Sequence, residues 1–121
     1  MMRKITTHVE NDRQPKLLAG ENVAPGNAPQ KYVIMYDEAS GTPNVVNLIE
    51  LDINFISLES DGVTNEVLLA IVIDRLEGFQ AGPFACEENQ NALDAARLSL
   101  ETLHSRTRER LNRGVENKHE K

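Results

Sequence analysis

Val67–Leu76 reads VLLAIVIDRL, eight apolar residues in ten, with Asp74 and Arg75 the exceptions. Thr64 stands before the run as a good N-cap, and Glu66 falls in the first turn. A buried strand is the competing local reading, but the length of the run and its cap favour a helix. The apolar residues point in every direction round the helix axis, and a helix apolar all round must be covered on all sides. One sheet face and one partner helix leave a flank bare. The economical cover is a second copy of the chain, so the sequence predicts at least a homodimer whose interface includes this helix.

Gly78, Gly82 and Pro83 read as the stop of that helix. A second helix is expected from near Cys86, with Leu93, Ala96, Leu100 and Leu103 forming a narrow seam against the first. It finishes in arginines, with Gly114 at the expected C-cap position. Residues 62–115 therefore form an antiparallel helical hairpin, and 116–121 a frayed tail.

Upstream, Lys31–Tyr36 alternates with aromatic and β-branched residues and predicts a strand. DEASGTPN supplies turn chemistry, and Val45–Leu51 and Ile53–Glu59 read as two further strands before SDG at 60–62 breaks the pattern. Residues 31–60 thus make a small antiparallel sheet of three or four strands. Residues 1–30, polar and holding Pro15, Pro25, Pro29, Gly20 and Gly26, read as an N-terminal arm or poorly ordered loop, with RKITTHV able to add an edge strand. The fold class is α+β: a small sheet followed by a long helical hairpin that assembles as a dimer.

Composition narrows the function. The 121 residues suit one domain, and no apolar run approaches the ~20 residues that span a bilayer, so no membrane role is expected. One cysteine, Cys86, forms no internal disulfide and fits a reducing cytoplasm. Cysteine pairs and histidine clusters of metal-site spacing are missing, so no metal or cofactor is expected. The formal charge of -6 argues against a nucleic-acid polymer as partner. That average hides an asymmetry: from His104 onward six Lys/Arg face three acids, while the remainder has seven against sixteen. Cations gathered at one helix end of an acidic chain point to a local anion site.

Two residue groups could form that site. Arg106, Arg110 and Arg113, at i, i+4 and i+7, share one helix face, and guanidinium groups make bidentate phosphate contacts. A solvated helix end whose cations favour the dipole is the plainer reading. The bend between the helices holds Phe79, Phe84, Asn89 and Asn91, two of the chain's three phenylalanines among them. An aromatic face stacks a nucleobase and an amide bonds a base edge; the plainer alternative is a ring that plugs the hairpin end. Residues 89 and 106 lie about 25 Å apart along a helix, so bend and arginines meet only between two head-to-tail hairpins. A two-fold axis then gives two shared pockets, suited to a small phosphorylated nucleotide.

VTNEVLLAIVIDRLEGFQAGPFACEENQNAL followed by LHSRTRERLNRGVE resembles the hairpin domain of the first described family of phage anti-Thoeris sponge proteins. That hairpin is related to the one in phage anti-CBASS cyclic-dinucleotide sponges. The likeness runs from Gly62 to Glu116, and GFQAGPFACEEN and RTRER are its specific parts. It implies a non-enzymatic protein acting in the cytoplasm of the infected bacterial host. There it would sequester a cyclic ADP-ribose signal, 1''–3' glycocyclic ADP-ribose, which TIR-domain defence enzymes make to activate a NAD-depleting effector. In the resemblance Phe79 matches the base-stacking aromatic, Asn89 its polar contact, and Arg106 and Arg110 the paired arginines across the pocket. Phe84, Asn91 and Arg113 remain further candidates. Members of the family can also assemble as trimers of dimers, homohexamers with separate sites for cyclic di- and trinucleotides.

Two other classes compete. An enzyme would draw on Asp74 and Glu77, on Glu87, Glu88 and Asp94, or on His104 as base, yet no partnered nucleophile or phosphate loop accompanies them, and no catalytic residue is assigned. An adaptor would use the hairpin for assembly alone and take up no small molecule. Within the sponge class, a preference for cyclic di- or trinucleotides of CBASS-type defence is the nearest alternative.

Overall fold

The computed structural model describes residues 2–11, 14–23, 26–57 and 60–113. The chain divides into two compact units, Met1–Gly62 and Val63–Lys121.

The first unit is a sheet. Strands β1 (Arg3–Lys4), β2 (Lys16–Ala19), β5 (Lys31–Ala39) and β6 (Val46–Asn54) pair antiparallel in the order β1-β2-β5-β6, while β3 (Asn22–Val23) and β4 (Ala28–Pro29) form a separate two-stranded ribbon. Alternation in β5 buries Val33, and Ala19 of β2 has no exposed surface, so the small core lies where these two strands meet. Tyr32 packs its ring edge-on to Phe55 with centroids 5.6 Å apart.

Three sequence expectations change here. Residues 1–30 are not only an arm: Lys16–Ala19 is an inner strand, and the RKITTHV edge strand is reduced to Arg3–Lys4. Its loop is tied down where the His8 ring meets the Pro15 carbonyl at 2.6 Å. The two strands expected over 45–51 and 53–59 are one, Val46–Asn54, because Asp52 stays in register opposite Val33 and pairs with Lys31 at 3.3 Å. Leu58 and Glu59 lie outside the described residues. The turn is also shorter than DEASGTPN, since Asp37–Ala39 remain in β5. Ser40 closes it by accepting from the Thr42 N–H and donating to the Val45 carbonyl at 2.8 Å. Gly41 and Asn44 take the positive φ values of 86° and 63° that the turn requires. Gly62 is demanded by space: a Cβ there would overlap the Asn54 carbonyl.

The second unit is the helical hairpin, α1 (Asn65–Gln80) packed on α2 (Glu87–Arg113). Thr64 caps α1 as expected, its Oγ1 accepting from the Val67 N–H at 3.1 Å, a bond worth about 1 kcal/mol. Gly78 does not stop the helix, which continues to Gln80. A single internal glycine costs about 1 kcal/mol, an amount that packing absorbs, and termination falls to the bend from Ala81 to Cys86. Leu93 and Ala96 are buried in the predicted seam, with Leu100 and Leu103 half-buried along it. Arg97 crosses to Glu77 at 2.8 Å and fixes the two helices in register. Gly114 and the tail at 116–121 lie outside the described residues.

At 1.5 Å per residue α1 runs about 24 Å and the 27 residues of α2 about 40 Å, so α2 overshoots by about three turns. No residue of α1 is buried. Val67, Ile71 and Val72 stand about half exposed on a helix whose sequence demands cover all round.

Candidate ligand site at the helical bend

The bend is held by one side chain. Gln80 accepts from the Cys86 N–H at 3.0 Å through Oε1, and its Nε2 donates to the Cys86 carbonyl at 3.1 Å and to Gln90 at 3.3 Å. An amide that mimics a paired backbone in this way pins both ends of the loop. Cys86 then opens α2: its carbonyl accepts from the Gln90 N–H, and its Sγ from the Asn89 N–H at 3.4 Å. Gln80→Ala is expected to lower stability by about 1–2 kcal/mol, the sum of exposed hydrogen bonds lost. A lowered melting temperature together with faster amide exchange at residues 81–86 checks this.

On that frame Phe79 and Phe84 meet edge to face, centroids 6.3 Å apart and planes at 88°. Both rings reach solvent, Phe84 with 72% of its surface exposed. Neither plugs a core. Asn89 donates through Nδ2 to the Phe84 carbonyl at 3.3 Å, so half of its amide positions the second ring. Its Oδ1 has no protein partner among the described residues, while Asn91 is exposed on the following turn.

At the far end of α2 the arginines separate into two kinds. Arg113 pairs with Glu109 at 2.6 Å and Arg108 with Glu101 at 2.9 Å. Arg106 is exposed and has no carboxylate partner among the described residues. Arg110 continues the half-buried seam past Leu103 and Thr107, and its Nε is shielded from solvent with no hydrogen-bond partner among the described residues. A guanidinium N–H desolvated without an acceptor is unfavourable by about 1–3 kcal/mol. An anion would relieve it.

The structure brings Phe79, Phe84 and Asn89 together and sets Arg106 about 25 Å and Arg110 about 32 Å from Asn89 along α2. Of the carboxylates an enzyme would draw on, Glu77 holds Arg97, and Asp94 accepts from Gln90 at 2.9 Å. Among the described residues no group of His, Cys, Asp and Glu is placed to hold a metal, and no helix is long and apolar enough to cross a membrane. Sequence reasoning missed Gln80, and also Arg75, whose Cζ lies 5.4 Å from the Phe79 ring centroid. The Arg75–Phe79 spacing of i, i+4 was a legible signal; an amide reaching six residues ahead has none.

No family model matches the chain. It is similar to the protein Thoeris anti-defense 1 of Bacillus phage SBSphiJ7, with 48% identity over 62 residues. The matched stretch is 51% of this chain and 44% of the relative, so the chain spans under half the length of that protein. The resemblance to the anti-Thoeris proteins therefore rests on half of the chain at an identity well above chance.

Proposed function

We propose that this chain is a phage immune-evasion protein that binds and sequesters 1''–3' glycocyclic ADP-ribose in the host cytoplasm without cleaving it. The 62-residue match to Thoeris anti-defense 1 carries the reading. The geometry supports its mode. Phe79 offers a half-exposed ring for the adenine, and the Asn89 Oδ1 is free to bond a polar edge. Arg106 and Arg110, the two cations of the α2 end without carboxylate partners among the described residues, suit the pyrophosphate.

The pocket is completed by a sister subunit. Two hairpins packed head to tail along the exposed flank of α1 set the bend of one beside the arginines of the other, twice per dimer. Assembly of such dimers into a trimer of dimers is the further step the resemblance implies. Binding without turnover is the reading that side chains which stack, pair and hydrogen-bond support.

The test is recovery. Protein is mixed with the cyclic nucleotide, stripped of free ligand and heat-denatured, and the supernatant is analysed by mass and by its power to activate the NAD-depleting effector. The expected result is ligand of unchanged mass and full activating power. A linear or shortened product would make the protein a hydrolase, and an empty supernatant would make it an adaptor.

A further inference from the structure

The hairpin contains six arginines between Arg75 and Arg113. Three have carboxylate partners: Arg97 with Glu77, Arg108 with Glu101 and Arg113 with Glu109. Three have none among the described residues, and two of these, Arg106 and Arg110, are already placed in the proposed pocket. The third is Arg75, at the opposite end of the hairpin. Its Cζ lies 5.4 Å from the Phe79 ring centroid, within cation–π range. Phe84 meets the same ring edge-on, so Arg75, Phe79 and Phe84 form one exposed cluster.

We propose that Arg75 is a ligand-binding residue: its guanidinium, standing over one face of the shelf ring, pairs with a phosphate of the nucleotide whose base stacks on the other face of Phe79. The inference rests on the reading of the bend as a base-stacking shelf. The chemistry favours it over a surface role. A guanidinium left without a carboxylate in an acidic chain keeps its five donors for a ligand, and a cation–π contact occupies its face rather than its N–H edge. The helix N-terminus at Glu87 does not substitute for it, because Glu87 and Glu88 already fill the first turn of α2. Each bend then carries a stacking surface and a cation within a single chain, before the partner adds its own arginines. The ligand class follows: a base joined through its ribose to at least one phosphate, held by stacking and charge at adjacent points.

The experiment uses the full chain and 1''–3' glycocyclic ADP-ribose, with affinity measured by calorimetry at several salt concentrations. Arg75→Met keeps an unbranched chain over the ring and removes the charge; Arg75→Lys keeps the charge. Arg75→Met is expected to weaken binding 10- to 100-fold and to make the slope of log Kd against log salt shallower, by up to about one. Arg75→Lys is expected to recover part of the affinity and the full slope. Arg75 is exposed, so both variants should melt with the parent. Binding and slope unchanged in Arg75→Met, while Phe79→Ala loses affinity, would overturn the assignment and leave the shelf standing. Full affinity in both Arg75→Met and Phe79→Ala would overturn the shelf and the assignment together.

Discussion

Ile71→Glu is expected to leave the purified protein monomeric and to weaken ligand uptake by at least 100-fold. Ile71 is 52% exposed on a helix with no buried residue, flanked by Val67 one turn back and by Val72. Covering the remaining half of each side chain contributes about 1 kcal/mol per residue, counted on both partners of a two-fold contact. An unpaired carboxylate in that patch opposes association by more than the isoleucine favours it. The exposure also means that a single chain tolerates the glutamate, so the circular dichroism spectrum should not change. Light scattering after gel filtration reads the mass, and calorimetry the uptake. Loss of binding with loss of the dimer is the signature of a shared pocket; a monomer that binds normally would place the whole site in one chain.

Removing the cationic wall should act as strongly by a different route. Arg106→Ala combined with Arg110→Ala is expected to weaken binding at least 100-fold, since each charge-assisted contact contributes about 1.5–3 kcal/mol. Stability should move the other way. Arg106 is exposed, and Arg110 hides an Nε that has no acceptor among the described residues, so its truncation removes an unfavourable group. The double variant is therefore expected to melt at or above the parent temperature while losing ligand. A sharp fall in melting temperature would instead assign these arginines to the fold.

The hairpin was legible because its signals are local. Thr64 caps, Leu93, Ala96, Leu100 and Leu103 keep helical spacing, and a run without a polar face announces its own need for cover. The sheet was legible only where alternation is long. Lys31–Ala39 shows itself, whereas Lys16–Ala19 is four residues after a proline and is a strand through its pairing with β5, a non-local fact. Asp52 looked like a break and is a rung, since its charge is met by Lys31 from the neighbouring strand. At the candidate site, residue types and spacing offered Phe79, Phe84, Asn89, Asn91 and the arginines. They did not separate Arg113, already paired with Glu109, from Arg106 and Arg110, because an ion pair depends on rotamers as well as on spacing. Gln80, which shapes the bend, gave no sign at all.

Native mass spectrometry of the full chain with 1''–3' glycocyclic ADP-ribose reads subunit number, occupancy and ligand mass at once. The expected result is a dimer, or a multiple of it, carrying two ligands per dimer, each released at its original mass. A single chain with no ligand attached, or a ligand of altered mass, would contradict it.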